Sequence, residues 1–428
     1  MINPFITFIL LFSCLTLTSQ TYTSYFTGNT SDLVTFPQGG SCLMGGASED
    51  DQAMKWFLQR ANGGDILVLR TSGSDGYNDY LYTDLGITVN SVETIVCNSS
   101  NASNEAYVQQ KISQAEAIWF AGGDQWHYIS YWRGTKIDSL INDGIQNRNI
   151  VIGGTSAGMA IQGKYYFSAE NGTITSAEAI SNPYRVDATV DSTKFLINPF
   201  LHDVITDTHY DSPDRKGRHI AFLARILTDY GVTGKGIACD EYTAVCIDDN
   251  GIASVYGDAN YDDFAYFIQP NCELTDFTPE TCIANNQLQW NRNGEALTVY
   301  KIGGNSTGSN TFDLNDWKTA NGGTWEYWSI NNGILSESIG LAPNCSLSLT
   351  QENLNELSFY PNPTNGIINL SNLSEKNHYS IVNIEGKVLF DNIELNHSQI
   401  DLSHLNTGIY FLKIANELQT KYLKIILE

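Results

Sequence analysis

The sequence predicts an α/β layer fold: a doubly wound, mostly parallel sheet with helices on both faces, followed by a small C-terminal β-sandwich. Three observations lead there. From Gly40 to about Asp248, short apolar β-branched runs alternate with longer helical patterns, the order that parallel strands joined by crossover helices produce. Within that region an apolar run, Val151-Ile152, leads into Gly153-Gly154-Thr155-Ser156-Ala157-Gly158, a sharp strand-to-helix turn. From Leu357 onward the pattern changes to alternating strands separated by Gly, Asn and Ser.

At 428 residues the chain exceeds one ordinary domain, so boundaries are expected. Residues 1–19 read as a signal peptide, with an apolar run from Phe5 to Leu17 and no charged side chain before Ser19-Gln20. That run is short for a bilayer, so export is expected without a transmembrane span. An α/β domain is assigned to 20–304, an extension or linker rich in Gly, Asn, Ser and Trp to 305–350, and the β-unit to 351–428.

In the α/β domain, strands are expected at Ser41 to Gly45, Asp65 to Thr71, Glu93 to Cys97, Ala117 to Ala121, Asn149 to Ile152 and Val204 to Thr208. Helices are expected near Glu49 to Ala61, Asn104 to Ala115, Trp126 to Gln146 and Asp214 to Tyr230. Further strands follow at Ile252 to Tyr256, Phe264 to Ile268 and Leu297 to Ile302. Sheets of this class bind ligands at the carboxyl ends of their strands, so the residues just after each strand matter most.

The formal net charge of -24 excludes a phosphate-binding surface as the default, because nucleic-acid binders carry a basic footprint. Cationic partners fit such a surface, and so does a plain solubility role for the charge. Losing the leader removes Cys14 and leaves Cys42, Cys97, Cys239, Cys246, Cys272, Cys282 and Cys345, an odd set, so at least one stays unpaired. Cys272 and Cys282 lie in a loop-like stretch and are candidates to bridge. Cys239 and Cys246 fit equally well as small core residues.

The chemistry concentrates at strand ends. Glycines at 154 and 158 allow the sharp turn and close strand-helix approach, which exposes the Ser156 hydroxyl and turns the Ala157 N–H toward a developing oxyanion. The run Ala117 to Ala121 ends in Gly122-Gly123-Asp124-Gln125, where Gly123 is placed to supply a second oxyanion N–H. Asp124 also suits a helix N-cap. Serine needs a base, and of seven histidines His209, at the end of Val204 to Thr208, is the choice, with His202 as fallback. Between Ser156 and His209 stand Glu170, Glu178, Asp187 and Asp191 as candidates for the acid that holds the imidazole. Glu178 is taken first and Glu170 second.

These residues resemble the serine peptidase family that contains cyanophycinase and dipeptidase E. The matching segments are Gly122 to Gln125, Gly153 to Gly158, Asp207-Thr208-His209-Tyr210 with Arg215 and Arg218, and Cys239-Asp240-Glu241-Tyr242-Thr243-Ala244. The resemblance implies a flavodoxin-like fold related to class I glutamine amidotransferases, a Ser-His-acid triad, and no metal or organic cofactor. It also implies hydrolysis of aspartyl-containing peptides or cyanophycin, with Asp124, Gln125 and Arg215 positioning the substrate. Thr208 stands where the family pattern has Gln, and Pro213 where its first arginine would fall. Those departures touch substrate recognition, since Pro cannot replace a bidentate guanidinium.

The tail is similar to the C-terminal sorting domain of the type IX secretion system of Bacteroidetes. It carries Tyr360-Pro361-Asn362-Pro363, Asp401-Leu402-Ser403, Gly408-Ile409-Tyr410-Phe411 and Lys421-Tyr422-Leu423-Lys424. That resemblance implies secretion machinery as a partner and release or anchoring at the cell surface. A dimer is compatible with these features. Two rival functions share them: a non-catalytic peptide- or glycan-binding surface protein, and a secreted esterase. The esterase lacks a His-Gly-Gly-Gly loop here, zinc hydrolysis lacks a His-Glu-x-x-His spacing, and amidotransfer would need Cys at position 156.

Overall fold

The computed structural model describes residues 21–345, 358–371, 378–384, 387–395, 398–415 and 420–428. The expected signal peptide at 1–19 and residues 351–357 at the start of the tail lie outside the described residues. Two units are present, residues 1–344 and 345–428.

In the first unit the elements run β1 (Tyr22–Gly28), β2 (Ser41–Met44), α1 (Asp51–Arg60), β3 (Asp65–Arg70), β4 (Ser91–Cys97), α2 (Ala106–Gln114), β5 (Ala117–Phe120), α3 (Gln125–Trp132), α4 (Lys136–Asn147), β6 (Val151–Thr155) and α5 (Ala157–Ala160). A short insert follows, with β7 (Tyr166–Phe167), α6 (Ser176–Ser181) and β8 (Val190–Asp191). Then come β9 (Val204–Asp207), α7 (Lys216–Tyr230), β10 (Lys235–Cys239), β11 (Ala244–Ile247), β12 (Ile252–Tyr256), β13 (Phe264–Pro270), β14 (Leu297–Gly303), β15 (Asn310–Asp313), β16 (Ala320–Asn321), β17 (Gly323–Asn331) and β18 (Ile334–Ile339).

The first sheet has the order β1-β4-β3-β5-β6-β2-β11-β12-β15-β16. Its centre, β4-β3-β5-β6-β2, is parallel, and antiparallel strands flank it on both sides. Alternation along β3 shows how it is covered. Ile66 and Val68 pack with Met54, Phe57 and Leu58 of α1, while Leu67 and Leu69 pack with Val108, Ile129 and Ile141 of α2, α3 and α4. Both faces of β3 are therefore under helices, which is why it reads as a continuous apolar run.

The structure differs from the expected single sheet. β9 pairs in parallel with β10 and opens a second sheet, β18-β17-β14-β13-β10-β9, whose other pairs are antiparallel. The two sheets share one apolar cluster: Leu43 and Val245 from the first meet Ile237, Phe267 and Ile302 from the second. The strands after residue 305 extend both sheets. The helix expected over Trp126 to Gln146 is two helices, broken at Gly134, whose φ of 72° is left-handed and favours glycine.

Cys272 and Cys282 do not bridge. Cys282 is a free, buried thiol against Thr228 and Tyr184, whereas Cys272 is disulfide-bonded. Cys239 and Cys246 are free and fully buried in the core.

The second unit contains β19 (Ser358–Tyr360), β20 (Ile367–Ser371), β21 (His378–Asn383), β22 (Val388–Glu394), β23 (Gln399–Asp401), β24 (Gly408–Ala415) and β25 (Thr420–Leu427). They form a three-stranded and a four-stranded sheet. Ile368 and Ile400 of the smaller sheet and Ile381, Leu412 and Ile425 of the larger one form a single buried cluster.

Candidate active site

Ser156 sits where β6 turns into α5, with φ 52° and ψ -115°, a conformation unfavourable for any residue with a side chain. The surroundings enforce it. A Cβ on Gly154 would lie 2.6 Å from the Gly158 backbone, and one on Gly158 would strike the Phe120 carbonyl, so only glycine allows this close packing. The Ser156 N–H donates to the Met44 carbonyl at 3.0 Å, which ties the turn to the end of β2. The hydroxyl is left half-buried at the carboxyl edge of the sheet.

His209 follows β9 of the second sheet, also with a positive φ of 46°. Its N–H donates to the Gly45 carbonyl at 2.9 Å, a bond from one sheet to the other. Nε2 lies 2.8 Å from Ser156 Oγ, and Nδ1 lies 2.6 Å from Glu241 Oε1. A Cβ on Gly46 would collide with the His209 ring, so glycine there makes room for the imidazole. With Nδ1–H donating to Glu241, Nε2 is the acceptor for the Ser156 hydroxyl proton, the arrangement that activates a serine.

Glu241 lies beyond His209 in the chain, outside the stretch from Glu170 to Asp191 that holds the expected acids. It stands in the turn joining β10 to β11, and its backbone is fixed on both sides: its N–H donates to Asp211 Oδ1 at 2.9 Å, and the next N–H, of Tyr242, donates to Gly46 O at 3.1 Å. Its position just after a strand was the signal available, as it was for Ser156 and His209.

Glu178 is not at this site. Its carboxylate accepts from Thr175 N–H at 3.1 Å and from Thr175 Oγ at 2.8 Å, while Thr175 Oγ accepts from the Glu178 N–H. This is a capping box at the start of α6, and the Thr-x-x-Glu pattern announces it. Those bonds hold the Glu178 carboxyl below its ordinary pKa, with Arg185 adding to the effect. Glu170 and His202 are exposed.

Gly122 borders Ser156, since a Cβ there would lie 3.7 Å from that of Ser156. Gly123, with φ 152°, faces open space. Ala157 is the first residue of α5. Asp124 caps α3 by accepting from Trp126 N–H at 2.9 Å, and Gln125 donates to Phe167 O at 3.4 Å. Arg218 forms a buried bidentate pair with Asp207, at 2.9 and 2.5 Å, which anchors the segment leading to His209. Burial is the largest single influence and works to raise the Asp207 carboxyl, but Arg218, with His219 and Arg215, brings the net shift downward. Arg215 donates to Thr208 O at 3.0 Å, and among the described residues no carboxylate pairs with it. Burial and the neighbouring Arg218 lower its pKa.

Behind the site, Asp240 is 2% exposed. One of its oxygens accepts from Phe264 N–H at 3.2 Å, and the other has no partner. Burial, with Asp211 as the next contribution, pushes its carboxyl up to about 7.

Residues 75–255 match the family model described as peptidase family S51, and residues 358–428 match the secretion system C-terminal sorting domain. A peptidase from an acI-B1 Actinobacterium is similar over 54% of this chain and 91% of its own, at 14% identity and a TM-score of 0.41. A putative peptidase E protein from Listeria monocytogenes EGD-e is similar over 52% and 99%, at 16% identity and a TM-score of 0.32. No curated protein matches the chain. The chain thus carries a serine-type peptidase domain and a tail that directs type IX export to the cell surface or the medium. Among the described residues no helix is long and apolar enough to cross a membrane.

Glu241→Ala lowers kcat by at least about a hundredfold, because the imidazole loses its orienting carboxylate, while Glu178→Ala leaves kcat within about twofold. Steady-state kinetics on the two purified variants checks this. Asp240, being raised when folded, binds its proton more tightly in the native state, so its contribution to stability is lost as pH rises from the ordinary carboxylate range through about 7. Asp240→Asn flattens that decline in urea denaturation series run from pH 5 to pH 9.

Proposed function

We propose that this exported family S51 domain cleaves amide or isopeptide bonds of aspartyl-containing peptides, cyanophycin among them, through an acyl-enzyme on Ser156. The observation that carries the reading is the unbroken hydrogen-bonded chain Ser156–His209–Glu241 at the edge of the sheet. His209 takes the hydroxyl proton as Ser156 attacks the carbonyl, and Glu241 stabilises the imidazolium. Ala157 and Gly123 supply backbone N–H groups to the oxyanion. The imidazolium then protonates the leaving amine, water enters, and His209 serves as base a second time to release the acid and restore the serine.

Arg215 supports the proposed substrate class. Arg215 has no carboxylate partner among the described residues, which favours a carboxylate-bearing substrate near Thr208. Arg218 is committed to Asp207 and does not compete for that role. Gln125 and Asp124 border the opposite strand end, where their amide and carboxylate suit the polar groups flanking an aspartyl bond. In this reading the core is doubly wound and flavodoxin-like, with α1 on one face and α2 to α4 on the other, as in the glutamine amidotransferase-like folds.

Purified protein is incubated with cyanophycin and with matched β-aspartyl and α-aspartyl dipeptides, and released amines are followed. Turnover of an aspartyl substrate that disappears in Ser156→Ala and weakens mainly in KM in Arg215→Gln supports the proposal. Cleavage of peptides without aspartate at equal kcat/KM would contradict the assigned substrate class.

A further inference from the structure

Cys42 on β2 and Cys246 on β11 are directly opposed in an antiparallel ladder. Their sulfurs are 3.6 Å apart and both side chains are enclosed in the core. Opposed residues in such a ladder have Cα atoms about 4.5 or 5.5 Å apart, and disulfides span both distances. The third sulfur in this part of the core, that of Cys239, is directed instead to the Leu43 carbonyl at 3.7 Å. The sorting tail carries the chain out of the cytoplasm, where disulfides persist, and Cys272 is already disulfide-bonded.

We propose that Cys42 and Cys246 are joined by a disulfide in the exported protein. The inference does not depend on the substrate or the reaction proposed above, because it rests on the paired thiols and on export.

The bond would act where the site is assembled. Two positions along from the cysteine pair, Met44 faces Ala244 in the same ladder. Beyond Met44, Gly45 accepts from His209 and Gly46 accepts from Tyr242, next to Glu241. Met44 itself accepts from Ser156. A covalent tie between β2 and β11 thus joins the strands from which the serine, histidine and glutamate contacts are hung. It would also close a loop of 204 residues in the unfolded chain, and long loops lose the most entropy on cross-linking.

Burial pushes the Cys246 thiol well above its ordinary range, which suppresses thiolate formation once folding is complete. The bond therefore forms before the two strands are covered. One thiolate attacks the disulfide of an envelope thiol oxidant and forms a mixed disulfide. The second thiolate then displaces the oxidant's sulfur, so the two cysteines lose two electrons and two protons and the oxidant leaves as a dithiol.

The full chain is exported into the periplasm of a Gram-negative host, purified, alkylated in denaturant without reductant, digested and mapped by mass spectrometry. The expected result is a linked peptide pair containing Cys42 and Cys246, lighter by two hydrogens than its separate thiol peptides and lost on reduction. Alkylated Cys42 and Cys246 would overturn the proposal, as would a link from either one to Cys239 or any other cysteine.

Discussion

One sheet carries His209 and another carries the hydroxyl it faces, so the 2.8 Å contact between them depends on how those sheets pack. The cluster holding them together draws Leu43 and Val245 from one side and Ile237, Phe267 and Ile302 from the other. Fully burying side chains of this size is worth about 1.5–3 kcal/mol each, against a net of about 0.5–1.5 kcal/mol for each hydrogen bond at the seam, so packing brings the sheets together and the polar contacts set the register. Those contacts are consistent with one another. His209 N–H to Gly45, Tyr242 N–H to Gly46 and Ser156 N–H to Met44 all terminate on the last residues of β2 or the two that follow.

The site also shows where conformational cost is concentrated. Ser156 and His209 both have positive φ, a state that costs roughly 1–3 kcal/mol for a non-glycine residue and persists only where its surroundings over-determine it. For Ser156 those surroundings are the glycines that let Gly154, Gly158 and Phe120 come into contact. For His209 they are Asp207, locked to Arg218 in a bidentate pair that is nearly inaccessible to water, and the Gly45 carbonyl. Breaking a buried pair of this kind by removing one partner costs about 3–5 kcal/mol, because the survivor is left charged and enclosed. The Glu178–Arg185 contact, 3.5 Å long and largely in solvent, belongs to a different class and serves only its own helix terminus.

What could be read from the sequence followed the range of the interactions. Ser156 was legible because the elbow is local, its glycines and serine lying within a few residues. His209 was legible as a strand-end histidine. Glu241 is not legible locally, because its contact with His209 is tertiary and it lies 32 residues beyond the histidine. Glu178 has the right position in the chain for a triad acid, although Thr175 three residues earlier marks it as a cap. Most strands and helices of the parallel core lay close to their expected places, since apolar periodicity reports burial. Which strands share a sheet is a matter of pairing, and β9 joining β10 instead of the β6 sheet left no local trace. Nor did the break at Gly134 interrupt the apolar pattern that ran through it.

The central claim is that the Ser156 hydroxyl is made nucleophilic by His209. The most direct measurement is labelling of the intact protein with a fluorophosphonate, with the adduct located by peptide mass spectrometry in wild type and in His209→Gln. The account predicts one adduct, on Ser156, in wild type, and labelling slowed by orders of magnitude in the variant. An unlabelled Ser156 in folded wild-type protein, or equal labelling rates in the two proteins, would contradict it.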